Sequence, residues 1–378
     1  MRHKEMDILK AFGILYVLGI HYYLPPIFAN PYRSSVLSMF FFISGCFFKS
    51  FDGFRAKLIY CANKTRDLIL PYFLYQILFT IICYILQRYL AIQLLTTYYR
   101  HDLLQYPVVC LLKPVFGGMS NVLGISWFIS DLWLILILVQ FVYRNKESSL
   151  KIDLVYLVCF LFLALVNIQW SYTSPRQATR SALNIPLPLL DHPMPKLIIV
   201  RTSFGLFFFF SGIVYRTHIE KYQHVIFTEI NFCLVYIAFS QLVYQYSANL
   251  TTHQFNAEFS PAPFWLHVTT TTLSIYMFIY IAKCASKQLA NNGLWVKIGQ
   301  ETYHIMCQHL MIFQLLNILM ITIFHDGNLQ VLSANLDYKY KAAARWPIYI
   351  GFGLLIPTFS AIYVRRLIRN RLFRWQQV

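Results

Sequence analysis

The chain has 378 residues, of which 58% are hydrophobic and 12% charged, against roughly 45–50% and about 25% in soluble domains. With 33 Phe and 27 Tyr, it has too little polar surface to cover a compact fold in water. That excludes an ordinary soluble enzyme and points to an all-α polytopic membrane helix bundle, with residues 1–378 forming one membrane-embedded domain. The formal charge of +17 then reads as topology and contact with anionic membrane lipids, and no basic patch with a recognisable nucleic-acid fold accompanies it.

Apolar runs recur near residues 7–25, 36–50, 68–90, 126–144, 151–170, 198–216, 224–246, 263–284, 302–324 and 345–365. They mark about ten transmembrane helices with both termini cytoplasmic. Lys and Arg then fall nearly two to one on the inner segments, as the positive-inside rule requires. The first run follows MRHKEMD with no small-residue cleavage site, so it reads as an uncleaved first helix. In DILKAFGILYVLGIH, Lys10 and His21 are eleven residues apart. At ~100° per residue they share one face, about 16 Å apart along the axis. Asp7, Ile14 and Val17 fall on the same stripe. Such a face sets a cation at the cytosolic headgroups and an imidazole deep in the membrane. The plainer alternatives are a snorkelling Lys10 and a His21 hydrogen-bonded to a neighbouring helix.

The inner segment FKSFDGFRAKLIYCANKTRD sets Phe51, Phe54, Leu58 and Ile59 among lysines and arginines, the pattern of a helix lying in the interface and facing any cytosolic anion. Outer segments near 91–125 and 171–197 are long and proline-bearing, so irregular or partly re-entrant backbone suited to acceptor recognition is expected there. In SWFISDLW, Trp127 and Asp131 stand one turn apart at the outer side. Trp127 reads as an interfacial anchor, and Asp131 as either a buried charge partner or a functional acid. Glu301, His304, Gln308 and His309 follow along the inner half of the ninth span, where they either line a cavity or form a structural network. The eight cysteines include no CxxC pair and lie mostly in apolar runs, which indicates neither metal nor disulfide but buried small hydrophobes. No internal repeat is evident.

Taken in order, DILKAFGILYVLGIH, MFFFISGCFF, KTRDLILPYFLY, GISWFISDLW, FGLFFFFSGIVYR and IGQETYHIMCQHLMIF resemble the motifs of acyltransferase family 3, integral membrane O-acyltransferases that modify cell-envelope glycans. The resemblance covers about the whole chain. It implies a multi-pass enzyme of the bacterial inner (plasma) membrane, with no permanently bound cofactor and no metal. The expected reaction moves an acyl group, acetyl before others, from cytosolic acyl-CoA to a hydroxyl of an envelope polysaccharide or lipid-linked sugar. By position, His21 stands where the family has its proposed catalytic His, and Lys10 replaces a basic residue that is more often Arg. Lys64 and Arg66 match the basic pair before the third span, with altered spacing. The resemblance therefore assigns Lys10, Lys64 and Arg66 to the CoA phosphates. His21 becomes a general base or acyl relay, with Asp131 or Glu301 orienting its ring. The chain stops soon after the tenth span without a hydrolase-like domain, so transfer is expected to finish on this chain or on a separate partner. The rival reading is a polymerase or transporter of lipid-linked glycans, which would share the spans and the basic inner face but need no CoA. A structural or assembly subunit would have no use for the ionisable residues inside the spans.

Overall fold

The computed structural model describes residues 4–23, 35–90, 127–143, 149–173, 194–250, 264–289, 293–324 and 341–375. The proline-bearing segments 91–126 and 174–193 lie outside the described residues. All regular elements among the described residues are helical. Backbone groups of a chain this apolar have no water to bond in lipid, and a helix satisfies them within its own segment. In chain order the helices are α1 (Lys4–His21), α2 (Ser35–Cys46), α3 (Phe54–Lys64), α4 (Leu70–Leu90), α5 (Trp127–Val142), α6 (Leu150–Thr173) and α7 (Met194–Val214). They continue with α8 (Gln223–Ile226), α9 (Glu229–Leu250), α10 (Phe264–Leu289), α11 (Gly293–Gln300), α12 (Thr302–Phe324) and α13 (Ala342–Trp375). Six described helical runs are long and apolar enough to cross a membrane, while α2 and α5 are apolar but shorter. The protein is a polytopic all-α membrane bundle.

The segment expected to lie in the interface is the first part of a continuous 33-residue run, Phe54–Leu86. A π turn, Thr65–Ile69, joins α3 to α4. No residue of α3 is buried, and its Phe54, Leu58 and Ile59 are exposed. The cysteines divide differently from the expectation. Cys46, Cys83 and Cys307 are buried, but Cys159, Cys233 and Cys284 are exposed, because they lie on the outward faces of α6, α9 and α10.

Two helices organise the core. The spanning window that contains α7 is 83% buried, whereas that of α6 is 11% buried, so α7 is central and α6 peripheral. Helix α7 packs against α2, α5 and α6, and α1 packs against α2, α10, α11, α12 and α13. The contact between α2 and α7 rests on a motif that occurs twice. Phe42-Ile43-Ser44-Gly45 on α2 and Phe209-Phe210-Ser211-Gly212 on α7 meet reciprocally. A Cβ at Gly45 would overlap the carbonyl of Phe209, and one at Gly212 the carbonyl of Phe42. Ser44 Oγ donates to the Phe40 carbonyl and Ser211 Oγ to the Phe207 carbonyl, both at 2.8 Å. A local repeat is therefore present, which the sequence reading did not recognise. Small residues let the two backbones approach, which matters in lipid because no hydrophobic force drives helices together there.

Candidate active site

One end of the site is built on α1. Asp7 is only 3% exposed, and Lys10 Nζ lies 3.4 Å from its Oδ1. Gln300 Nε2 donates to the other Asp7 oxygen at 3.3 Å. The close approach that permits this comes from Gly299, where any side chain would strike the Asp7 backbone. Lys10 Nζ also lies 5.3 Å above the Phe47 ring. An ammonium has three donors, and Asp7 engages one, so the partly exposed Lys10 keeps capacity for an anion.

Lys64 and Arg66 flank the start of the π turn. Lys64 Nζ stands 5.5 Å from the Tyr60 ring centroid. The exposed Arg66 bonds Asp67 through Nε at 3.0 Å. The turn itself is pinned from two sides. Trp133 Nε1 donates to Thr65 Oγ1 at 2.9 Å, and Tyr303 Oη donates to the Leu68 carbonyl at 2.6 Å. A π turn widens the helix and turns carbonyls outward, which gives the Tyr303 hydroxyl of α12 an acceptor.

Glu301, at the start of α12, is 2% exposed. Its Oε2 accepts from Arg365 of α13 at 2.6 Å and lies 3.9 Å from His304 Nε2. His304 Nδ1 and the Tyr75 hydroxyl are 2.8 Å apart, and Gln308 Nε2 donates to that hydroxyl at 2.8 Å. Ser360 Oγ donates to Gln308 Oε1 at 3.2 Å. The Tyr75 hydroxyl thus stands between Gln308 and His304, and where it donates to Nδ1 the His304 tautomer carries its proton on Nε2, the nitrogen that faces Glu301. These five side chains and Arg365 tie α4, α12 and α13 together.

At the far end of α1, the rings of His21 and His309 have centroids 5.6 Å apart. His309 is fully buried, and its Nδ1 bonds the Ile305 carbonyl at 2.9 Å. Aromatic rings wall this pair. Tyr22 stacks on Tyr349 at 3.8 Å, and Phe313 packs edge-on to His309 at 5.7 Å. Tyr349 Oη donates to Asn317 Oδ1 at 2.9 Å, which fixes the stacked ring.

Asp131 lies in a separate constellation. It is fully buried on α5, and its charged neighbour is Arg201 of α7. The Arg201 guanidinium, also fully buried, sits 3.9 Å over the Trp127 ring. The Trp127 that sequence suggested as an interfacial anchor is thus a cation-stacking core residue, and Arg201 is a core cation. Of the six residues expected to form the site, His21 and Lys10 share α1. Glu301 is held by Arg365, Asp131 lies beside Arg201, and Lys64 and Arg66 flank the pinned π turn. Sequence reasoning missed Arg201 and Arg365. An arginine inside IIVRTSFGLFFFF was a usable signal for the first, whereas nothing in the paired arginines after α13's apolar run marks Arg365 as a carboxylate's partner. Among the described residues no cluster of three His, Cys, Asp or Glu side chains is placed to hold a metal ion.

Comparison with curated proteins and with solved structures returned no match. The model of the acyltransferase domain that defines acyltransferase family 3 matches residues 3–365, nearly the whole bundle and every residue of the geometry above. The chain belongs to acyltransferase family 3 and is a multi-pass integral membrane acyltransferase.

Proposed function

We propose that this protein transfers an acetyl group from cytosolic acetyl-CoA to a hydroxyl of an envelope polysaccharide or lipid-linked sugar, in the inner membrane of a bacterium. The supporting observation is the arrangement along α1. Lys10, anchored by Asp7, stands toward its N-terminal end, and His21, facing a second imidazole, ends the helix. The two are about 16 Å apart along the axis, a span for the extended arm of CoA to bridge. Lys10, Lys64 and Arg66 hold the CoA phosphates as a cationic rim. His21 takes the proton of the acceptor hydroxyl as that oxygen attacks the thioester carbonyl. The carbon–sulfur bond breaks, and the departing CoA thiolate recovers the proton from His21. Glu301 and Asp131 serve this chemistry as charge partners. Glu301 holds Arg365 against the inner half of α12, and Asp131 balances Arg201 in the core.

The test is transfer by the purified protein in lipid nanodiscs, with radiolabelled acetyl-CoA and an envelope glycan extract. Expected is label in the glycan as an alkali-labile ester, with free CoA competing. Glycan elongation or translocation that is indifferent to CoA would instead identify a polymerase or transporter.

A further inference from the structure

An imidazole that works as a base has to present one defined nitrogen to its substrate, and something must hold the other. His21 is half-buried while His309 is fully buried behind it, so of the two only His21 is open to a substrate. The Nδ1 of His309 bonds the Ile305 carbonyl, which can only accept, so that nitrogen carries the proton. The Nε2 of His309 is then a lone-pair acceptor. It is buried and has no hydrogen-bond partner among the described residues. A buried acceptor left unsatisfied is destabilising, and a donor from the adjacent ring would remove that penalty. Two imidazoles joined by a hydrogen bond of about 3 Å have ring centres roughly 5 Å apart. The observed 5.6 Å puts the two rings within reach of such a bond.

We propose that His309 is the positioning residue of the transfer: its Nε2 accepts the N–H of His21 and leaves the other His21 nitrogen unprotonated toward the acceptor hydroxyl. This rests on the reading of His21 as the base. It gives His309 the part that an acid has in a Ser–His–Asp triad, without bringing a second charge into the membrane. Of the two acids considered for that part from sequence, Glu301 bonds Arg365, and Asp131 lies in the field of Arg201 in a separate part of the core.

Two substitutions of His309 separate positioning from packing. His309→Asn retains a donor for the Ile305 carbonyl but has nothing at the place of Nε2. His309→Gln reaches that place with its amide oxygen and gives up the short bond to Ile305. Positioning predicts that His309→Asn loses about 10² in kcat, that His309→Gln stays within about tenfold of wild type, and that KM for acetyl-CoA is unchanged in both. A merely structural His309 predicts the reverse order. The double variant His21→Asn/His309→Asn should be no slower than His21→Asn, because residues acting as one unit do not add. Monodisperse elution in detergent verifies folding. If one His309 variant fails to fold, the other still decides, since retention by Gln and loss by Asn are each read against wild type. Wild-type kcat in His309→Asn, with His21→Asn inactive, overturns this inference and leaves the His21 base intact. Full transfer by His21→Asn overturns the base itself.

Discussion

Gly212→Ala sets two known effects against each other at the crossing of α2 and α7. Replacing an interior helical glycine with alanine gains up to about 1 kcal/mol in helix propensity. Against it, the new Cβ would stand 2.9 Å from the carbonyl carbon of Phe42 and 3.0 Å from the amide nitrogen of Cys46, with a tighter overlap on the Phe42 oxygen. These are backbone atoms in a hydrogen-bonded helix and cannot rotate aside, so the helices must separate. A gap of 0.5–1 Å forfeits a quarter to a half of each dispersion contact of about 0.1–0.2 kcal/mol, or about 2 kcal/mol over some 40 atom pairs. Overpacking strain of about 1–3 kcal/mol is of the same size. The net is a loss of about 1–2 kcal/mol, or a fall in Tm of about 1–3 °C for a chain of this length. The assay is thermal unfolding in detergent, followed by a thiol-reactive fluorophore. The background replaces Cys61, Cys110, Cys159, Cys233 and Cys284, so that the signal comes from the buried Cys46, Cys83 and Cys307. Adding Gly45→Ala should cost less than it does alone, since one separation relieves both overlaps. A higher Tm for Gly212→Ala would refute the reasoning, because propensity would then have prevailed over contact.

Three further outcomes follow from the charged groups. Lys10→Arg should retain most activity while Lys10→Ala raises KM for acetyl-CoA, measured by initial rates, since either cation satisfies a phosphate. Replacing both Lys64 and Arg66 with Gln should raise donor KM more than it lowers kcat, because phosphate contacts are made equally in ground and transition states. An unchanged donor KM in a folded protein would put the CoA site elsewhere. Arg365→Gln should destabilise by about 2 kcal/mol by leaving the buried Glu301 carboxylate without its cation, less than the 3–5 kcal/mol of a wholly buried pair because Arg365 is exposed on one side. The double variant with Glu301→Gln should recover most of that in a denaturation series.

How far the sequence could be read follows from what periodicity reports. The apolar runs fixed the helices because lipid leaves no other backbone solution, and helix lies at each marked run. Lys10 and His21 were legible as one face because both lie on one helix, where spacing alone determines angle. Neighbours across helices were not legible. A helix that is apolar all round, such as α7, gives no stripe to show which side faces α2. The pairing of Glu301 with Arg365 spans 64 residues, and that of His21 with His309 depends on how α12 leans on α1. The duplicated Phe-x-Ser-Gly motif escaped notice because a phenylalanine-rich run looks like ordinary lipid-facing sequence until the carbonyls opposite its glycines are seen.

The π turn at Thr65–Ile69 has a geometric consequence for the basic side chains that precede it. One residue more than an α-helix needs is threaded into that turn. Everything before it is thereby rotated about the axis, by roughly 100°, relative to everything after it. Deleting a single residue between Thr65 and Ile69 would close the turn to ordinary helix and swing Lys64 and α3 around the axis of α4. Net charge would stay the same unless the deleted residue were itself ionised. The aim of the basic side chains is therefore encoded in chain length, where a one-codon deletion steers them and a point substitution changes only how strongly they pull.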